Sequence, residues 1–368
     1  MIGCASGQYS LTIHDTEGGL AVASGDITEI SDLDYGAVVQ LYAVAYTCYE
    51  FVNWTGDVGT IADVENTYTT IIMKGSYVIT ANFALKVVEN MQIWDWYDLD
   101  AVRGNPCWNY TLMNDLNSTT PGYEELAGPM AHGGRGWAPI GSSDVEMTFP
   151  FKGTFDGQGY EIHDLCINVS GPSPYFELGL FGLSYGVIRD IGVVNATLLG
   201  VTQWPVGALV GRNAFGGIVS NSYSTGNVSV YMDYDTVGGL VGQNSATVND
   251  SYSTASVSGN SHVGGLVGVN GGTVSNSYST GNVTGENYVG GLIGWNSGTV
   301  SNSFWDTETS GQSSSDGGTG KTTAQMKSIA TFSGAGWDII GVALNETNSV
   351  YIWNIVNNIT YPFLSWQS

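Results

Sequence analysis

Charge is what this sequence has least of, and positive charge least of all. Lys and Arg together number 9 in 368 residues, and only 11% of the chain is charged. Set against 33 acids, the scattered bases leave a formal net charge of −24. Such a surface repels nucleic acid and anionic lipid, so neither is expected as a partner. No run approaches the ~20 apolar residues of a membrane helix. The four cysteines (Cys4, Cys48, Cys107 and Cys166) form no CxxC pair, so a zinc site has no support; Cys107 and Cys166 are a candidate bridge that sequence alone does not fix. His14, His132, His163 and His262 share no ligand spacing, and no Gly-x-Ser-x-Gly elbow occurs. No catalytic, cofactor-binding or firm metal-binding residue is assigned.

What fills the gap is Gly, Ser, Thr and Asn, with 21 Tyr, 11 Trp and 52 Gly, while hydrophobic residues still make up 42%. That mixture suits β-structure with many tight turns and suits helices poorly. The length allows two or three domains with a substantial core. Twenty of the acids lie at or before Asp156, so the later part is closer to neutral. Acidity of this kind reads as solubility outside the cell.

From Tyr9 to about Leu85 the chain alternates in period two (YSLTIHD, AVVQLYAVA, YEFVNWTGD, TTIIMKG, YVITANF), with turn signals between the runs. This pattern predicts a small all-β domain. Gly36, Val39, Leu41, Ala43, Tyr49, Phe51, Trp54, Gly56, Asp57, Ile71, Met73, Ile79, Ala81 and Phe83 resemble the internalin-type B repeat, and the resemblance implies a β-grasp-like unit of a bacterial surface protein. Between Val87 and Pro150, IWDWYDLDAVR has helical spacing with Asp95 as N-cap, and predicts a short helix capping the open end of a stacked β-structure.

Repeats begin at Phe151. Aligned on a bend residue (Asp164, Asp190, Asn221, Asp250, Asn276, Asn302), they step by 26, 31, 29, 26 and 26 residues. Two positions earlier stand Ile162, Ile188, Val219, Val248, Val274 and Val300; Leu180, Leu209, Leu240, Leu266 and Leu292 form a second apolar column. A fixed period in the twenties with two short apolar strands per repeat predicts a right-handed parallel β-helix, or β-solenoid, with coils ~4.8 Å apart. The Leu and Val columns face inward, glycines turn the corners, and the Asn/Asp column is expected to hydrogen-bond from coil to coil. Asp164 over Asp190 would repel unless solvated or offset by Arg189 or His163.

The unit VGGLVGxNxGxVxNSYSTGxV, carried by residues 206–230, 237–257, 263–283 and 289–305, is similar to the GLUG-motif family. GTFDGQGYEIHDLCI resembles the first coil of such arrays, and SFWDTETSGQSSSDGGTGKTTAQM with WNIVNNITYPFLSWQ resembles their end. The resemblance implies an adhesin-like surface protein.

Several features compete for a function. DGGTGKTT (316–323) lacks the first glycine and the apolar strand of a phosphate loop, and reads instead as a turn capped by Thr322 or Thr323. Asp233 with Asp235, and Asp306 with Glu308, are the candidates for calcium or for an enzyme's paired carboxylates, against the plainer reading of solvated loop acids. Tyr223, Tyr252, Tyr278 and Phe304 form an aromatic column expected to point outward, either to bind sugars or a protein or to cement neighbouring coils. Ten sequons (Asn53, Asn109, Asn117, Asn168, Asn195, Asn227, Asn249, Asn282, Asn345, Asn358) are candidates for glycosylation. MIGC resembles the end of a bacterial lipoprotein signal, which would lipidate Cys4, although the basic and apolar regions of such a signal do not precede it.

These readings combine into an all-β chain: 1–8 a leader remnant or linker, 9–86 the B-repeat-like domain, 87–150 the capping helix and lead-in, 151–305 the solenoid, 306–368 a closing loop, short helix and strands. The expected role is a non-catalytic, extracellular cell-surface protein, adhesive or structural, whose partners are other surface proteins, glycans or its own copies. The alternatives are a filament or sheath subunit and a carbohydrate-binding or carbohydrate-active β-helix; an ice-binding face is discouraged because SFWD breaks the SYST rank.

Overall fold

The computed structural model describes residues 8–46, 48–141, 150–169, 177–202, 204–214, 216–230, 232 and 235–367. The chain divides into two compact units, Met1–Val88 and Glu89–Ser368.

In the first unit the alternating runs become two sheets. One has strands in the order Glu29–Leu33, Tyr9–Asp15, Tyr77–Leu85 and Tyr49–Gly56, with a parallel central pair that sets Leu11 opposite Tyr77. The other is antiparallel, Gly19–Ala23, Val38–Ala45 and Tyr68–Ile72. Because side chains alternate between faces, Leu11, Leu41, Ile71 and Ile79 converge on one interior with Trp54 and Met73. The Trp54 indole N–H is satisfied by the Asn66 carbonyl.

The second unit is a parallel β-solenoid. One coil runs through strands Ser261–Gly264, Val267–Asn270, Thr273–Ser275, Tyr278–Ser279 and Val283–Thr284, each paired in parallel with its counterpart in the preceding coil. Val248, Val274 and Val300 stand in register, and so do Tyr252, Tyr278 and Phe304. All five leucines of the Leu column are fully buried, and Leu209, Leu240 and Leu266 each donate N–H to the leucine carbonyl of the following coil at 3.1, 3.0 and 2.9 Å. Each coil therefore leaves an apolar edge that only another coil can cover. The glycines Gly238, Gly264 and Gly290 are required where a Cβ would overlap the carbonyl oxygen of Val241, Val267 or Ile293 at the corner.

At the N-terminal end of the stack, strands Asn90–Ile93 and Asn109–Leu112 extend the solenoid's eight-stranded sheet. Helix Trp96–Ala101 follows, its N-cap Asp95 accepting the N–H groups of Tyr97 and Asp98 at 2.9 Å. Trp96, Leu99 and Val102 close the core together with Trp137. At the far end, residues 310–318 lie across the last coil: the Val283 N–H donates to Ser310, that of Gly291 to Ser314, and the Ile293 carbonyl accepts from Asp316. No helix among the described residues is long and apolar enough to cross a membrane.

Candidate functional site

The aromatic column is the first place to look for a ligand surface, and the structure corrects its expected exposure. Tyr223, Tyr252 and Tyr278 do stack, with ring centres 4.8 and 4.9 Å apart and planes within 6° and 1°. Yet these rings and Phe304 are only 5%, 7%, 1% and 6% exposed. The cover is the chain's own C-terminal segment, which places Phe332, Trp337, Trp353 and Leu364 in one cluster with the column. Three indoles of this strap donate to the bend residues: Trp366 to the Asn221 carbonyl at 3.3 Å, Trp353 to the Asp250 carboxylate at 3.4 Å and Trp337 to the Asn302 carbonyl at 2.7 Å. The phenol hydroxyls are engaged as well. Tyr223 donates to Glu161, whose other oxygen lies 3.0 Å from His163; Tyr252 pairs with Gln367, and Tyr278 donates to the Pro362 carbonyl at 2.5 Å. Burial pushes all three phenols well above their ordinary value, with Glu161 adding to the shift at Tyr223. None of them can accept a proton near neutrality.

The bend column has a different chemistry from the one its composition predicts. Asp164, Asp190, Asn221, Asp250, Asn276 and Asn302 all adopt left-handed backbone conformations, with φ between 47° and 58°, a region that Asn and Asp enter more readily than other side chains. Among the described residues, amides of the next coil reach these side chains at the start of the column alone, Asn221 on Asp190 at 3.1 Å and Asn195 on Asp164. Asp164 accepts from Asn195 at 2.7 Å, and Arg189 lies 3.6 Å from Asp190, while His163 turns to Glu161 instead. Burial raises the Asp190 carboxyl, with the Asn221 bond opposing the shift.

The continuous amide ladder runs through the asparagine of VGxN. Asn213 donates to Asn244 at 2.9 Å, Asn244 to Asn270 at 2.8 Å and Asn270 to Asn296 at 2.7 Å, and the first three are fully buried. A serine rank parallels it: the N–H groups of Ser222, Ser251 and Ser277 each donate to the next coil's serine hydroxyl at 3.2 Å. The recurrence of Asn in phase with the Leu column was the available signal for this ladder.

Among the described residues the calcium candidates do not assemble into a site. Asp233 lies outside the described residues. Asp235 is fully buried and accepts the Asn260 and Ser261 N–H groups at 2.8 and 2.5 Å, while burial raises its carboxyl. Asp306 is also fully buried, and its four lone-pair directions are occupied by the N–H groups of Glu308 and Thr309 and the hydroxyls of Thr323 and Tyr361. Glu308 accepts from the Thr323 N–H at 2.8 Å. Both Asp306 and Glu308 thus fasten the strap to the last coil. Among the described residues no three His, Cys, Asp or Glu side chains gather as metal ligands. DGGTGKTT leads into helix Thr323–Met326, where Thr322 and Gln325 form a capping box.

Cys166 is a free, half-buried thiol, so the Cys107–Cys166 bridge does not form; burial raises its pKa. Cys4 lies outside the described residues. Of the sequons, Asn195, Asn227, Asn282, Asn345 and Asn358 are exposed, whereas Asn53, Asn109, Asn117, Asn168 and Asn249 are half-buried.

Two clefts on the described surface of this unit are large enough for a small ligand. One, of about 340 Å³, lies within the strap and is lined by Leu344, Glu346, Val356 and Phe363. The other, of about 430 Å³, opens at the last coil between Tyr288 and Trp295, with Gly294, Ser314 and Asp316 on its walls. Neither aromatic residue of the second cleft was singled out by the sequence, because each interrupts its column rather than continuing it.

The first unit matches the divergent InlB B-repeat domain over residues 9–87, and the GLUG motif matches residues 204–229 and 259–284. GLUG motifs thus lie on the β-solenoid, and a divergent InlB B-repeat match precedes them in the sequence. Halomucin from Haloquadratum walsbyi is 33% identical over 158 residues, which is 41% of this chain and 2% of halomucin. The GLUG solenoid is also similar in fold to a crystal structure of a Bacteroides ovatus protein described as a candidate immunoglobulin A1 protease. That likeness has a TM-score of 0.53 at 19% identity, over 76% of this chain and 92% of the other. At this identity it speaks to the fold alone.

Proposed function

We propose that this protein is a non-catalytic, exported cell-surface element whose GLUG solenoid serves as a stiff, protease-resistant adhesive or structural rod. The observation that carries the reading is the continuity of the stack: an apolar core and two polar ladders pass from coil to coil, and the tyrosine column is closed by the chain's own strap. Asn213, Asn244 and Asn270 each donate to the asparagine of the next coil, which favours a single rigid arrangement over a set of loose ones. The acidic composition, the two motif families and the stretch shared with a protein named as a mucin support an extracellular setting.

Covering of the last coil by residues 310–318 weighs against the filament alternative, because end-to-end stacking needs an open apolar edge. Immunolabelling of intact source cells, with electron microscopy of the purified chain, tests the proposal. Discrete particles and labelling without lysis are expected. Labelling only after lysis would remove the surface assignment, and regular polymers would replace the rod with a filament subunit.

A further inference from the structure

In a stacked ladder each ring has a rung above and a rung below, so only the last rung keeps a free face. At the C-terminal end of this solenoid the chain supplies the missing rung almost everywhere. Phe304 meets Phe332 and Trp337, while Ser314–Asp316 bond along the Gly291–Ile293 edge. Among the described residues, two columns whose last rung is an aromatic ring end without a cover. In one, His262 and Tyr288 stack at 4.9 Å with planes within 1°, and no strand follows Asn287–Gly290 in that sheet. In the other, Trp295 stands after Gln243 and Val269, on the last strand of its sheet. Tyr288 is 61% exposed and Trp295 38% exposed, and the two flank the same cleft of about 430 Å³.

The polar groups around this cleft are those a ligand has to satisfy. The Trp295 indole N–H and the Tyr288 hydroxyl have no hydrogen-bond partner among the described residues, unlike the indoles of Trp54, Trp96, Trp137, Trp337 and Trp366, each of which donates to a carbonyl. Asp316 accepts the Asn296 N–H at 2.6 Å through one oxygen, and its other oxygen is free to accept. No Lys or Arg lines the cleft. Tyr288 is also held at φ 50°, in the same left-handed bend as His262 one coil below, so the ring is fixed as a flat platform backed by an imidazole.

We propose that Tyr288, Trp295, Ser314 and Asp316 form a binding subsite for a neutral saccharide, which occupies the place of the absent next rung. The C–H face of a pyranose stacks on an aromatic face, drawn by the negative face of the ring quadrupole. Its hydroxyls meet the carboxylate oxygen and the indole N–H. The cleft volume is within the range of small-ligand sites, roughly 300–1,000 Å³. The single carboxylate, without a cationic partner, disfavours sialic and uronic acids. The proposal deepens the adhesive reading and rests on it only for where the glycan would be met, since binding itself belongs to the purified chain.

The test uses the full chain in saturation-transfer NMR with cellobiose, lactose and chitobiose, and with sialyllactose as the anionic control. At least one neutral disaccharide should bind, and sialyllactose should not. Trp295→Ala should weaken binding about tenfold, while Trp295→Phe retains most of it. Tyr288→Asn, which keeps a residue suited to positive φ, should act like Trp295→Ala. Trp94→Ala, removing an indole 52% exposed beyond the other end of the stack, should change nothing. Independently of any variant, the bound sugar should protect Trp295 from N-bromosuccinimide oxidation, read by peptide mass spectrometry. Absence of neutral disaccharide binding at millimolar concentration would overturn the proposal. So would binding that survives both Trp295→Ala and Tyr288→Asn, or binding without Trp295 protection. Loss of cell-surface labelling would leave the subsite standing and remove only the adhesive setting.

Discussion

If the amide ladder holds the coils together, its rungs should not be worth the same. Asn270 is a middle rung, fully buried, accepting from Asn244 at 2.8 Å and donating to Asn296 at 2.7 Å. Asn270→Ala removes both bonds and leaves the Gly272 N–H without its acceptor at 3.3 Å. The neighbours are only partly compensated: Asn244 keeps the Thr273 carbonyl at 3.2 Å, and Asn296 keeps the Gly298 N–H at 3.3 Å. With about 1 kcal/mol for each net hydrogen bond and about 1 kcal/mol for the orphaned donor, the expected cost is roughly 3 kcal/mol. Asn296 is the end rung, half-buried and within reach of water, so Asn296→Ala should cost about 1 kcal/mol.

Urea unfolding followed by tryptophan fluorescence isolates the relevant unit, because Trp54 is the sole tryptophan before Val88 and the others, of 11, belong to the solenoid unit. The gap between the two variants, about 2 kcal/mol, should appear as a shift in midpoint at constant slope. Equal costs for the two variants, or a cost below about 0.5 kcal/mol for Asn270→Ala, would refute the view that the ladder carries coil-to-coil energy.

Three further outcomes follow from the same geometry. Trp353→Ala empties a fully buried indole site beside Tyr252 and Tyr278, and should cost about 3–5 kcal/mol while opening residues 306–368 to limited proteolysis before the solenoid is cut. Burial raises the phenols of Tyr223, Tyr252 and Tyr278 in the folded state and holds Tyr361 at about 12, so the neutral form is the one folding favours. Their contribution to stability is complete below the ordinary tyrosine value of about 10 and is lost as pH rises above it; tyrosinate absorbance should show these rings ionising only as ellipticity collapses, and one reversible step near 10 with the fold intact would contradict this. Gly264→Ala should lower the midpoint of unfolding sharply, because its Cβ would overlap the Val267 carbonyl oxygen, whereas Gly36→Ala, with open space around it, should cost only the strain of its φ of 86°.

The solenoid was legible in the sequence because stacking forces one residue type into one column. Leu180, Leu209, Leu240, Leu266 and Leu292 announce an interior by repetition alone. The same logic located the aromatic column and misjudged its surroundings. What covers Tyr252 is Trp353, about a hundred residues later, in a segment with no repeat to betray its destination. Asp306 failed as a calcium candidate for a similar reason: its donors Thr323 and Tyr361 lie 17 and 55 residues ahead. The Asn of VGxN was hidden differently. A polar residue beside glycine reads as a turn, and only its inward position, opposite another amide, makes it part of the core.

The strap also sets an order of events. Coils can form one on another as soon as two neighbours exist, with contacts that span 26 to 31 residues, and so at low cost in loop closure. The strap's contacts span 115 residues from Gln367 to Tyr252 and 145 from Trp366 to Asn221. A chain synthesised or exported from its N-terminus therefore lays down its rod early and locks it last. Until that strap arrives the tyrosine face stays wet and the rod unlatched, and a protein truncated by three residues should lose the Trp366 and Gln367 contacts at Asn221 and Tyr252 while Trp337 and Trp353 still cover Tyr278.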